Sequence, residues 1–438
     1  MSDFRRPMIK KNQNKHFKNN KPKTTPDPAR DAAWKALGYI LGEREPLELA
    51  LEKACAADML PRDRSTAHWM IAGTLRHLGV LEEILKENLK KEPPFPVFRA
   101  LLLGAAQILF LDVPSYAAVG STVDLLRRQS FVPFTGLANA ILRKIVREGE
   151  SVLETLDQPR LDTPAWLWKS WGKRARVISE SYYETAPLDI TLKEGAKEPE
   201  GAERLPNGSY RFPAGTSVTE IEGFDAGSFW VQDAAASMIA PLLGDVKGME
   251  VADICAAPGG KTAQLAASGA KVIALDRDAH RLERLKENME RLQLEVTCEQ
   301  ADALEWQPDH LLEAILLDAP CSATGTLRRH PDVLRLKRQQ DVRALAEGQA
   351  LFIEAAGRIL KKGGKLLYAV CSLQDEEGPH QIEAALKKGG WKHIPFSKEE
   401  LSFLPESLTK EGYFRTHPAM WQEKKGIDGF FAALLIKE

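Results

Sequence analysis

From Met249 to the C-terminus the chain alternates short apolar runs with longer helical stretches, and few folds accept that pattern. Strands are expected at "EVADIC" (250–255), "KVIALD" (271–276), "EVTCEQ" (295–300), "EAILLD" (313–318), "KLLYAVCS" (365–372) and "FFAALLIK" (430–437). Between them, stretches such as "DAHRLERLKENMERL" and "QQDVRALAEGQALFIEAAGRIL" carry the helical period. Runs this apolar are buried on both faces, so the pattern predicts an α/β, doubly wound, Rossmann-like sheet covered by helices. Such sheets keep their chemistry at the carboxyl ends of the strands.

The first half reads differently. From Pro28 to about Arg147 only helical patterns occur, among them "DPARDAAWKALGYIL", one helix across "DRSTAHWMIAGTLRHLGVLEEIL", and "VFRALLLGAAQILFL", "YAAVGSTVDLLRR" and "TGLANAILRKIVRE". Pro-bearing breaks separate them, which predicts an all-α bundle over residues 27–150. His68 and His77 are nine apart, off a clean metal-binding face, and read as structural. Residues 151–230 mix helical, extended and Gly/Pro-rich stretches, as a small α+β linker domain would, and leave 231–438 for the sheet. Within the linker, Trp166, Trp168 and Trp171 stand beside Lys173, Arg174 and Arg176. They could stack on RNA bases; the plainer reading packs them against neighbouring elements.

Charge and cysteine usage narrow the function classes. The formal net charge of −1 hides eight Lys/Arg against Asp3 in residues 1–23. Residues 1–26 are therefore expected to be a disordered basic arm, either drawn to nucleic-acid phosphates or merely solubilising. Five cysteines with no C-x-x-C pair argue against a disulfide framework and a structural zinc site, and favour a reducing compartment. The stretch "LLLGAAQILFL" is too short for a membrane span, and no secretory signal is seen.

"VADICAAPGGKTAQLA" (251–266) joins the first strand of the sheet to its first helix. Gly260, Lys261 and Thr262 match a P-loop, but Cys255 stands where the leading glycine should be, and no G-x-G-x-x-G can be written across the loop. What survives is a tight Pro258-Gly259-Gly260 turn, which lets backbone approach a ligand. Asp276 ends the second strand and Asp302 the third, where open sheets hold ribose hydroxyls. A ligand with ribose and adenine but no triphosphate suits this set, and S-adenosylmethionine is such a ligand.

Cys321 in "LLDAPCSATG" and Cys371 in "YAVCSL" both end strands, and each is followed by serine. Carbon 5 of cytosine is a poor nucleophile until a thiolate adds to carbon 6 and turns the ring into an enamine. A thiol near pKa ~8.5 needs neighbours that favour its ionised form. Asp318 in "DAPC" is placed to protonate ring nitrogen 3 or hold the exocyclic amine. Spacing does not rank the two cysteines; Cys55, expected inside a helix, and Cys298, in mid-strand, read as inert. The same thiols argue against a non-catalytic RNA-binding protein with a decayed enzyme half, and "DAPC" against an amino-directed methylase.

"DICAAPGGKT", "ALDRD", "ADAL", "LLDAPCSATGTLRRHPDV", "YAVCSL" and "DGFFAALLIK" resemble the RNA cytosine-5 methyltransferases. "FRALLLGAAQILFLDVPSYAAVGSTVDLLRR" and "GLANAILRKIVRE" resemble the NusB family of RNA-binding domains. Together they are similar to bacterial methyltransferases of 16S ribosomal RNA. The resemblance implies that Cys255, Ala256, Ala257, Pro258, Gly259, Gly260, Lys261, Asp276, Asp302 and Asp318 contact S-adenosylmethionine. It implies that Cys371 is the nucleophile and that Cys321 assists product release. It further implies a cytoplasmic enzyme acting on ribosomal RNA, with no membrane association and no obligate protein partner. This chain departs from the family's usual residues at Val370 (usually Thr), Ala323 (often Gly) and Gly120-Ser121 (usually Asn-Glu).

Overall fold

The structure, a computed structural model, describes residues 25–438, so residues 1–24 of the expected basic arm lie outside the described part. Helices Pro28–Gly38, Leu47–Ala54, Pro61–Arg76, Leu78–Asn88, Phe95–Leu109, Ser115–Arg128 and Thr135–Leu153 pack around one apolar core. Three of them carry proline in the first turn, where its missing N–H costs nothing. Phe95–Leu109 is the central helix, buried without a break from Val97 to Gln107, which is why its sequence shows no polar face. At Gly104 an added Cβ would lie 2.7 Å from Thr122 Oγ1, so neighbouring helices cross at backbone distance there.

Two local expectations are corrected. The single helix read over Asp63–Leu85 breaks at His77 (φ −107°, ψ 21°). The His77 ring stacks on Phe110 at 3.7 Å and on Tyr183 at 4.8 Å, so packing overrides the continuous period. Cys55, expected inside a helix, is the extended residue that ends Leu47–Ala54.

Short helices Gln158–Asp162, Ala165–Trp171 and Ala175–Ser181 lead to a four-stranded antiparallel sheet: β1 Leu188–Leu192, β2 Glu203–Arg204, β3 Tyr210–Phe212 and β4 Phe229–Val231, in the order β2-β3-β1-β4. Trp171 is buried, and Trp166 and Trp168 pack against the same cluster. Arg160 and Arg176 lie over Trp168, so these rings are occupied by protein.

The large sheet comprises β5 Glu250–Ile254, β6 Lys271–Asp276, β7 Val296–Gln300, β8 Leu312–Asp318, β9 Leu360–Val370, β10 Trp391–Ile394, β11 Phe414–Arg415 and β12 Phe431–Lys437. Its order is β10-β12-β9-β8-β5-β6-β7, with β11 beside β12. Strands β5 to β9 pair in parallel, and β12 is antiparallel to β9. All six expected strands form. The sequence reading missed β10 and β11, which are four and two residues long and show no sustained alternation. β8 and β9 are neighbours with Asp318 opposite Ala369, and this pairing brings the two Cys-Ser segments to one place.

A buried ion cluster joins the two sheets. Arg211 forks onto Asp189 with two 2.6 Å hydrogen bonds, and Arg329 reaches Asp233 at 2.8 Å and Asp428 at 3.3 Å. Among the described residues no helix is long and apolar enough to cross a membrane.

Candidate active site

The loop after β5 is braced from below. Asp253 accepts a hydrogen bond from Thr262 Oγ1 at 2.6 Å, which ties strand to helix Gly260–Ala267. Gly259 caps that helix at φ 101°, and a Cβ there would press within 3.0 Å of Leu285. The backbone thus runs close to helix Ala279–Leu292 and keeps its outer side free of side chains. Cys255 also takes a positive φ, 63°. Burial, then the carboxylates of Asp318 and Asp276, push its thiol up to about 12.

Asp276 is buried at the tip of β6. Its carboxylate accepts from the N–H groups of Ala257 (3.3 Å) and Asp278 (3.0 Å) and pairs with Arg281 at 3.4 Å. Only the Arg281 partner is a long, half-exposed side chain that ribose hydroxyls could displace. Asp302 lies two residues beyond the end of β7 rather than on its last residue; it is exposed and accepts from Leu304 N–H at 2.9 Å. Lys261, which in a phosphate loop would face phosphates, instead donates to Asp318 at 2.6 Å and lies 5.0 Å from the Phe430 ring. The cradle therefore fits a nucleoside with a ribose and no phosphate chain. Its donors are backbone and its acceptors carboxylates, and its one lysine is engaged elsewhere.

Cys321 and Cys371 face each other with their sulfurs 3.4 Å apart. The hydrogen bond to Cys371, reinforced by burial, holds the Cys321 thiol well above the ordinary cysteine range. Burial works against the Lys261 ammonium, but Asp318 and then Cys371 outweigh it and push its pKa up. Two thiols, a carboxylate and an ammonium thus share one rim of the sheet.

The serine after each cysteine has a common purpose. Ser322 Oγ and Ser372 Oγ both donate to Glu377 Oε2 at 2.5 Å, and Ser322 N–H donates to Glu377 Oε1 at 2.8 Å. Gln349 donates to the same carboxylate at 3.2 Å, and Tyr368 Oη donates to the Glu377 carbonyl at 2.6 Å. Glu377 is wholly buried and holds the two cysteine turns in mutual register. The sequence reading missed it because "LQDEEG" reads as an exposed acidic turn; the repeated Cys-Ser was the signal that something common lay beneath.

Residues 240–436 match the family model of the 16S rRNA methyltransferase RsmB/F, and residues 27–147 that of the NusB family. The ribosomal RNA small subunit methyltransferase B of Serratia proteamaculans is 33% identical over 435 residues, covering 93% of this chain and 98% of that protein. The protein of the same name from Pseudomonas putida is 33% identical over 437 residues, with the same coverage of 93% and 98%. The crystal structure of PH0851 superposes with a TM-score of 0.74 at 24% identity, covering 95% of this chain and all of that one, a likeness of fold.

Proposed function

The chain belongs to the 16S rRNA methyltransferase RsmB/F family, and on that premise we propose how its residues methylate carbon 5 of a cytidine in 16S ribosomal RNA. S-adenosylmethionine, when bound, supplies the methyl group as an electrophile. The glycine turn of residues 255–261, Asp276 and Asp302 hold that nucleoside against the sheet tip. Cys371, as thiolate, forms a bond to carbon 6 of the base, and the displaced electron pair makes carbon 5 nucleophilic. Carbon 5 would then bond the methyl group, while the electron pair of the broken methyl–sulfur bond stays on sulfur. Asp318, fixed by Lys261, accepts a hydrogen bond from the exocyclic amine. A proton passed from the Lys261 ammonium through Asp318 to ring nitrogen 3 neutralises the charge that gathers there, and returns when the Cys371–carbon-6 bond breaks.

Cys321 stays neutral while Cys371 is free, because one thiol donates to the other across 3.4 Å. Once Cys371 is a thioether it no longer raises its neighbour. Cys321 can then lose its own proton to solvent and, as thiolate, take the carbon-5 proton as the Cys371–carbon-6 bond breaks and the Cys371 thiolate is restored. This reading is carried by one observation, the 3.4 Å approach of the two sulfurs, and the order of the two roles is taken from the family resemblance. Five free cysteines and a ribosomal RNA substrate support a reducing, cytoplasmic location.

A denaturing gel after incubation with 16S rRNA and S-adenosylmethionine tests the roles. Cys321→Ala should trap a nuclease-sensitive protein–RNA band, while Cys371→Ala and the double variant should show none and make no 5-methylcytidine. A trapped band from Cys371→Ala would reverse the assignment.

A further inference from the structure

Three basic side chains converge on the turn that follows Cys371, with one carboxylate to answer them. Arg415 donates to the Leu373 carbonyl at 2.8 Å and pairs with Asp375 at 2.6 Å. Arg174 is exposed, and among the described residues it forms no hydrogen bond or ion pair. Ser170, four residues before it, hydrogen-bonds to Gln374 and so brings Arg174 to the turn that Arg415 holds; partial burial and then the like charge of Arg415 keep its guanidinium below its ordinary range. His417 follows two residues after Arg415, and its Nδ1 is buried with no hydrogen-bond partner. Burial, then Arg174 and Arg415, push its pKa down to about 4, so the ring is neutral and has one N–H to give.

These groups stand on anchored backbone. Thr416, between Arg415 and His417, donates to the Asp428 carbonyl at 2.9 Å and accepts from Phe430 N–H at 2.8 Å. Ser170 in helix Ala165–Trp171, just before Arg174, donates to Gln374 at 2.5 Å. The protein alone gains nothing by holding two guanidiniums together beside an orphaned ring nitrogen. An anion of tetrahedral oxygens would answer all three.

We propose that Arg174, Arg415 and His417 grip one phosphate of the RNA backbone beside the target cytidine. The proposal rests on the reading above that this chain methylates RNA. Arg415 reaches the turn of the attacking cysteine through the Leu373 carbonyl, so gripping that phosphate would fix where the base enters.

The full chain, with wild type, Arg174→Ala and Arg174→Lys compared, tests this on a 16S rRNA transcript. Arg174→Ala should weaken RNA binding by about 10-fold or more. It should also flatten the logarithmic salt dependence by about 0.7, the share of one phosphate on a single strand. Arg174→Lys should restore the slope. Ethylating RNA phosphates should block wild-type binding at a position next to the methylated cytidine, and Arg174→Ala should be indifferent there. Calorimetry should give one S-adenosylmethionine affinity for all three proteins. An unchanged slope and interference pattern in Arg174→Ala would overturn the phosphate pocket, and so would a loss of cofactor affinity instead of RNA affinity. If wild type itself leaves the transcript unmethylated, the functional reading falls and the pocket with it.

Discussion

Asp253 is fully buried at β5, with one carboxylate oxygen bonded to Thr262 and the other without a partner. Burial, opposed by that bond, pushes its pKa up to about 7. In the unfolded chain it would titrate near ~3.9, so between those values the folded state binds the extra proton. Stability from this group is full below about pH 4 and is lost as pH rises through about 7. Asp253→Asn should remove that dependence. Urea unfolding at pH 5 and pH 8 should show wild type losing more stability than the variant, by up to about 3 kcal/mol. Parallel losses in the two proteins would place the pH dependence elsewhere. Glu377 teaches the complementary lesson: a buried carboxylate is tolerated where hydroxyl and N–H donors surround it.

Each cysteine turn depends on backbone as much as on side chains. Ala323, where the family often has glycine, sits at φ 57°. A left-handed alanine costs about 1–2 kcal/mol, and glycine returns about 0.5–1 of that as lost chain freedom. Ala323→Gly should therefore stabilise the protein by up to about 1 kcal/mol in chemical unfolding. A destabilised variant would mean that the methyl group contributes packing worth more than the strain. Gly325 is the opposite case, since a Cβ there would lie 2.0 Å from the Gly429 carbonyl oxygen. That contact locks "SATG" against "DGFF", and it explains why two distant segments share small residues at one crossing.

Across the whole molecule, the helical front half is docked onto the catalytic half by the segment from Arg328 to Asp341. Asp332 accepts from the buried Leu47 N–H at 3.0 Å, Arg44 pairs with Asp341 at 2.9 Å, and Arg76 donates to the Arg328 carbonyl at 2.7 Å. Leu336 completes the front core. Asp332→Ala leaves the Leu47 N–H without its acceptor and should cost about 1–3 kcal/mol. Scanning calorimetry should then show the front helices melting ahead of the sheet; one unsplit transition would mean that other contacts carry the coupling. The six long strands, the glycine turn and the carboxylates near strand tips were legible in the residues alone, because apolar period and turn chemistry act over a few neighbours. Only the tertiary structure decided that Cys321 meets Cys371, that Glu377 lies beneath both serines, that His77 interrupts a continuous helical period, and that Arg174 stands with Arg415 and His417. Each of these depends on strand pairing or packing between residues far apart in the chain, and no local pattern encodes which distant neighbour will be there.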